Sequence, residues 1–495
     1  MNSDRPREPF LKLLLVALGA VLVHGYHLGA DDAAIYVPAV KKAFDPALYP
    51  FGAEFFEHHG RLSIFSWLVA QTAKLGHMPP DLAIFLWHIL GIFLMMIAVW
   101  RLATLCFEGA SARWGAVLLV AAVLTVPVAG TALVIMDPYL TARSLSTPTT
   151  MLAVASFLAS HRKEAFLWLL LTALVHPQNA AYGFALCAIL ALPLGWFAVP
   201  EPAPAYAFVA DRLPTGFEFQ PTHGAYHDVL YMRTFFFAQL WQWYEWLGVI
   251  APMLILAWFS RLSPKGTLPG FRQLSRALLP FGLLTTIAFL ILSSTRRFEP
   301  FVRLQPMRGF LLVYIIFFVL LGGLVGQYVL KARAWRWLAL FLPLASGMCL
   351  AQRSAYAHSR HIEWPWVEPK NQWGEAFRWI RSNTPKDAVF ALEPKYVTMP
   401  DVDQHGFRAI AERSVLSDYY KDSGAVSLFP QLADEWAAEQ KAQQGWETFT
   451  VTDFERLAKE YPVSWVVVRH PAPAGLPCPY SNPTVSVCQI PAPSH

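Results

Sequence analysis

Ten apolar runs carry almost no charged residues, at 11–28, 82–105, 114–135, 145–160, 165–176, 179–198, 246–260, 278–294, 308–330 and 335–351. A helix needs about 20 predominantly apolar residues to cross a bilayer, and no soluble domain could bury so many such segments around one core. The chain has 495 residues, 55% hydrophobic and 15% charged, against roughly 25% charged in soluble domains. The expected fold class is therefore a polytopic α-helical membrane domain of about ten to twelve spans. Several runs are short, so they either tilt or line a protein interior. IFSWLVAQTAKLG at 64–76 is shorter and more polar and reads as an interfacial helix. Arg5, Arg7 and Lys12 precede the first run without a small-x-small cleavage site, so that run is expected to be retained.

Lys and Arg in the short loops set the orientation. The N-terminus, Arg113, HRK at 161–163, the 261–276 stretch and KARAWR at 331–336 are assigned to the cytoplasm. The loops carrying Asp31/Asp32, DPYLTARS, HPQN and RRFEPFVRLQPMR then fall on the far side, as does everything after about 355. Parity around 199–245 calls for one more short crossing, placed at 231–246. The domains are expected to be 1–355, multi-pass with a first exported loop at 29–63, and 356–495, a small exported α/β domain. In the latter, AVFAL, VSWVVVR and TVSVCQI read as strands between amphipathic helices. Cys478 and Cys488 lie in CPYSNPTVSVC, which can turn back on itself, and an oxidising compartment makes a disulfide there reasonable. A net charge of +5 with no basic stripe excludes a nucleic-acid partner. Membrane lipids are the expected surroundings.

Charges are costly at membrane depth and tend to mark function. Here they collect at the outer helix ends: Asp31 and Asp32 after the first run, Asp137 and Arg143 in DPYLTARS, His176 in HPQN, and Arg303 and Arg308 before the ninth run. Each has a plainer reading. One aspartate would cap the helix AAIYVPAVKKAF, Arg143 would pair with Asp137, and His176 would close a helix end. The arginines at 296–308 would anchor lipid headgroups. His58 and His59 lack metal-ligand spacing. Ser417, Asp418 and His405 are close in sequence but have no nucleophile-elbow motif around them.

This layout, with DDAAIYVPAVKKAFDPALYP, HPQ, WYEWLGVIAP, LQPMRGF and WIRSNTPKDAVF, resembles the glycosyltransferase-C superfamily, closest to an uncharacterised bacterial group with a C-terminal exported domain. The resemblance implies an inner-membrane enzyme with a cytoplasmic N-terminus, taking a sugar from a polyprenyl-phosphate donor to an extracytoplasmic acceptor. By the same resemblance Asp32 or Asp31 is the catalytic acid, acting as base or as ligand of a divalent metal ion. Arg143, His176, Arg303 and Arg308 would bind the donor phosphate. Glu299 and Asp137 are the candidates for a second acidic group, and metal use stays open. The alternatives are a non-catalytic protein that binds or assembles an envelope glycan or lipid, and a transporter, against which stand the one-sided charges and the absence of a repeat.

Overall fold

A computed structural model describes residues 8–192 and 222–491. The end of the 179–198 run and residues 199–221 lie outside them. In chain order the first half contains α1 (Phe10–His24), α2 (Ala33–Phe44), α3 (Glu54–Arg61), α4 (Phe65–Leu75), α5 (Pro80–Cys106), α6 (Ala110–Ala122), a hairpin of β1 (Pro127–Val128) and β2 (Leu133–Val134), α7 (Ala142–Leu158), α8 (Arg162–Val175) and α9 (Pro177–Ala191). Then follow α10 (Gly224–Tyr231), α11 (Trp243–Arg261), α12 (Pro269–Ser294), α13 (Phe310–Leu324) with a π-helical turn at Val325–Leu330, and α14 (Ala334–Ala355).

The protein is a polytopic helical membrane protein. Among the described residues, five helical segments are long and apolar enough to cross a bilayer, and α1 and α6 are shorter apolar helices. Their surfaces show which solvent they face. On α1, Leu11, Leu15, Leu18 and Leu22 form an exposed stripe at i, i+4, i+7 and i+11, while Leu13, Ala17, Ala20 and Val21 are buried. No residue of α14 is buried, and its exposed Leu338, Leu342 and Leu350 present the apolar surface that hydrocarbon would cover, while Leu344 packs against the protein. α6 and α13 meet through small residues: a Cβ on Gly115 would sit 2.4 Å from the Gly322 carbonyl oxygen, and one on Gly326 2.3 Å from that of Ser111. Close backbone approach of this kind drives helix association where lipid removes the hydrophobic incentive.

Two expectations need correction. The run 114–135 is not one helix: α6 stops at Ala122 and the chain turns through the β1–β2 hairpin. No crossing exists at 231–246, where α10 ends at Tyr231 and two single-turn 3₁₀ segments lead to α11. The runs around α7, α8 and α9 give helices of 17, 14 and 15 residues, about 21–26 Å long and shorter than a ~30 Å hydrocarbon core. Apolar composition registered burial here as well as lipid contact: every α7 residue from Ala142 to Ser156 is buried, including six Ser and Thr. Five of these hydroxyls are hydrogen-bonded, as with Thr149 Oγ1 to Thr172 Oγ1 of α8 at 2.8 Å, while Ser156 Oγ has no partner among the described residues.

After α14 come α15 (Gln372–Asn383), β3 (Val389–Leu392), α16 (Phe407–Ala411), β4 (Ser414–Val415), α17 (Lys421–Leu428), α18 (Ala433–Ala442), α19 (Val451–Glu460), β5 (Trp465–Arg469), β6 (Tyr480–Ser481) and β7 (Val485–Gln489). The sheet order is β4-β3-β5-β7-β6, parallel from β4 to β5 and antiparallel beyond. The continuous apolar run VSWVVVR gives the central β5, covered on both faces as such runs require. Cys478 and Cys488 form a disulfide.

This sheet packs directly onto the first loop. Phe377, Phe390 and Phe407 share one core with Tyr36, Val37 and Val40 of α2, and Ala30 bridges His405. Lys41 of α2, 1% exposed, reaches Asp81 at 2.7 Å, Glu412 at 2.9 Å and the Ala409 carbonyl oxygen at 2.8 Å. Arg381 of α15 pairs with the same two carboxylates, each at 2.9 Å.

Asp418 and Glu439 are deeply buried carboxyls in this half that bind protons unusually tightly. Burial, and then the charge of Asp422, pushes Asp418 up to about 7, and burial pushes Glu439 up to about 7. An unfolded chain releases these protons near pH 4, so the folded state holds more protons between about pH 4 and pH 7. Stability from this pair therefore falls as pH rises through that window and levels off above it. We expect melting at pH 8 several degrees below that at pH 5, with Glu439→Gln shrinking the gap. An unchanged gap in that variant, read by circular dichroism, excludes Glu439 as a cause.

Candidate functional site

The first loop enters through a turn that depends on its residue types. Gly29 has φ +74, and a Cβ there would lie 2.6 Å from Cβ of Ala409, so only glycine fits. Asp31 follows at φ 49, a left-handed position that aspartate tolerates better than most residues, with its N–H donated to the Gln404 carbonyl at 3.0 Å. Asp32 then precedes α2 but does not cap it: no side-chain capping bond is present. The capping expectation fails because a guanidinium offers its carboxylate a stronger, charge-assisted bond.

That guanidinium belongs to Arg143, in the first turn of α7. Its Nη2 donates to Asp32 Oδ2 and to Asp137 Oδ2, both at 2.9 Å, with Arg143 8% exposed and Asp137 5%. Thr141 orients the assembly, donating its hydroxyl to Asp137 at 3.1 Å while its N–H donates to Ser144 Oγ, closing a capping box. The plain pairing of Arg143 with Asp137 is thus present, and Asp32 joins it. Asp31 turns the other way. It accepts the Tyr139 hydroxyl at 2.9 Å and forms an ion pair with Lys421 at the start of α17. Lys421 Nζ stays 3.9 Å from Asp32 Oδ1, beyond a hydrogen bond.

Arg308 sits in a 3₁₀ turn before α13, held by two anchors on α9. Tyr182 donates its hydroxyl to the Gln305 carbonyl at 2.7 Å and Gln178 Nε2 donates to the Leu304 carbonyl at 2.8 Å. Among the described residues its Nε is buried and without a partner. Burial raises the Asp32 carboxyl, but the guanidiniums of Arg143 and then Arg308 more than reverse this and hold it below its ordinary range. His59 lies in the same field. Burial outweighs the pull of Asp32 and lowers its ring to about 4, so it is neutral at pH 7, bonded to the Tyr36 hydroxyl at 2.7 Å. His176 senses Arg143, Arg308 and His59. Its Nδ1 accepts the Asn179 N–H at 3.3 Å, capping α9 rather than ending α8 on a carbonyl.

Asp31, Asp32, Arg143, His176 and Arg308 therefore share one neighbourhood. Arg303 does not: it is exposed, and its Nη1 reaches the Leu428 carbonyl at 3.4 Å. Glu299 is engaged elsewhere, accepting from Thr222 at 2.6 Å and Tyr231 at 3.0 Å. Sequence reading missed Lys421, Tyr139, Tyr36, His59 as a charge neighbour, and Arg233. Arg233 feels the charge of Asp32 and donates to Tyr420 O at 2.5 Å and Ser423 Oγ at 2.7 Å. Tyr139 lies inside DPYLTARS and was within reach of that motif. Nothing local marks Lys421.

A divalent ion on the aspartate pair meets a specific obstacle. Lys421 already holds Asp31 and Arg143 already holds Asp32, so a metal would have to displace a protein cation. The residues do not fit one, and no step below uses it.

A family model described as a domain of unknown function (DUF6798) matches residues 371–438. No curated protein matches the chain. Among solved structures, the chain is similar to ArnT from Cupriavidus metallidurans bound to undecaprenyl phosphate, at 14% identity over 98% of each chain with a TM-score of 0.40.

Proposed function

We propose that the chain is a glycosyltransferase of the bacterial inner membrane, moving a sugar from a polyprenyl-phosphate donor to an acceptor outside the cytoplasm. The observation that carries this reading is the carboxylate of Asp32 beside Arg143 and Arg308, at the outer ends of short buried helices. Asp32 Oδ2 is taken by Arg143, which leaves Oδ1 to accept a proton. The acceptor hydroxyl gives its proton to Oδ1 as its oxygen bonds to the anomeric carbon. The bond from that carbon to the phosphate oxygen breaks, and the polyprenyl phosphate leaves with the electron pair. Arg308, whose buried Nε has no partner among the described residues, and behind it Arg143 stabilise the charge gathering on the phosphate. His176 and neutral His59 shape this end of the site. Residues after 355 are assigned to the exported side, a placement that the Cys478–Cys488 disulfide supports.

Purified protein given labelled polyprenyl-phosphate sugars is expected to transfer label to envelope glycan or lipid acceptors. Arg308→Gln is expected to raise the donor KM by roughly 10–100-fold, the loss of one charged hydrogen bond of about 1.5–3 kcal/mol, with a smaller effect on acceptor KM. An equal rise in both would remove Arg308 from the donor phosphate. A second reading rests on the same contacts: because Asp31 and Asp32 are both ion-paired, the cluster also suits a non-catalytic protein that binds an envelope lipid or glycan. Donor binding without label transfer across a broad acceptor panel would select it.

A further inference from the structure

His27, Glu363 and His405 come from three distant parts of the chain and converge at the seam between the first loop and the sheet. Their ligand atoms all lie within 4.8 Å of one another. Glu363 Oε1 is 3.3 Å from His27 Nδ1 and 2.8 Å from His405 Nε2. Both imidazoles are essentially buried, at 0% and 2% exposure. Glycosyl transfer as proposed above uses none of them.

We infer that this cluster is a divalent metal site, taking Zn²⁺ on two imidazole nitrogens and one carboxylate oxygen. Four features carry the inference. Two nitrogens and an oxygen are the donors zinc accepts in three-residue sites with a fourth position for water. Bonds of 2.0–2.1 Å set tetrahedral ligand atoms about 3.4 Å apart, so the 3.3 Å separation already fits, the 2.8 Å one must open by about 0.6 Å, and the widest, within 4.8 Å, must close by at most about 1.4 Å. For His405 and Glu363 the supporting contacts are those of a ligand set, whereas His27 Nε2 is buried with no partner among the described residues. His405 Nδ1 faces the Val402 carbonyl oxygen at 2.9 Å, which places the proton there and turns the Nε2 lone pair inward, the arrangement common to metal-bound histidines. Glu363 Oε2 accepts the Leu28 N–H at 3.0 Å, leaving Oε1 for the ion, and the His27 ring is stacked on Tyr356 with centroids 3.6 Å apart. Lastly, a cleft of about 30 Å³ touches Leu28, Glu363, His405 and Arg360, room for a water ligand and a route of entry.

The ion would act as a staple. Around it the backbones are already joined: Tyr26 N–H to His361 O at 3.0 Å, Glu363 N–H to Tyr26 O at 2.9 Å, and Gly406 N–H to Gly29 O at 2.9 Å. Zinc here would fix the chain entering the Gly29–Asp32 turn against both the end of α14 and the sheet.

The test uses the full chain, purified in detergent without a histidine tag, stripped with chelator, loaded with Zn²⁺ and freed of excess by gel filtration. Elemental analysis is expected to give one zinc per chain, with melting raised on loading. Co²⁺ in its place is expected to show visible bands of a tetrahedral site with nitrogen ligands. Glu363→Gln and His405→Gln, checked for native circular dichroism, are expected to lower Zn²⁺ affinity by more than the roughly 10–100-fold typical of outer-shell partners. Zinc well below one equivalent in the wild-type chain, or no tetrahedral cobalt spectrum, overturns the proposal and leaves an ion pair only. Wild-type zinc content in both variants overturns it equally. These readouts need no sugar transfer, so they stand or fall apart from the proposed function.

Discussion

Asp32→Asn is expected to lower sugar transfer by roughly 10²–10⁴-fold, the range that a positioned general base supplies. Donor binding should hardly change. Asparagine keeps the shape, and its Oδ1 can still accept from Arg143, whose other bond to Asp137 at 2.9 Å is untouched. What is lost is an anionic oxygen able to take the acceptor's proton. Asp31→Asn is the matched control. Asp31 is occupied by Lys421 and Tyr139, so its change should act through the position of α17 and cost less in kcat. Transfer and donor binding measured on all three proteins decide the roles. Undiminished transfer by Asp32→Asn would remove the base assignment. A larger loss from Asp31→Asn than from Asp32→Asn would exchange the two.

Lys41→Ala is expected to destabilise the protein by about 3–5 kcal/mol, as removing one partner of a buried charge network does. The substitution leaves Asp81 and Glu412 facing each other with Arg381 alone to compensate, and Arg381 is 34% exposed. It also strands the Ala409 carbonyl, which accepts from Lys41 at 2.8 Å. By contrast, Lys386→Ala breaks only a pair whose lysine is 64% exposed, worth at most about 1 kcal/mol. Melting temperature and protease cleavage after residue 355 report the difference, because Lys41 ties α2 to the segment around Ala409 and Glu412. Equal, small effects of the two substitutions would show that the Phe377, Phe390 and Phe407 contacts hold the seam without the ions.

The strands after 385 were legible because β-branched runs bounded by turn residues have few other uses: AVFAL, VSWVVVR and TVSVCQI became β3, β5 and β7. The membrane runs were legible as apolar but not as spans. Lipid and protein interior select the same residues, so α7 looked like a membrane helix although it is buried from Ala142 to Ser156. The 114–135 run hid a hairpin for a similar reason. Its glycine and threonine sit among apolar neighbours, and a β1–β2 pair of two residues each leaves almost no periodicity to detect.

For the candidate site, the sequence determined the chemistry available: acids beside the first apolar run, an arginine in DPYLTARS, and a basic loop before α13. Those are local properties, fixed by hydropathy and by the Gly29–Asp32 turn. The tertiary structure decided the partners. Asp32 meets Arg143 across 111 residues and Asp31 meets Lys421 across 390, while Arg303, close to Arg308 in the chain, reaches Leu428 instead. Such pairings depend on how whole helices dock. A charge–charge bond forms at a few ångströms, and chain order carries no information about distance at that scale.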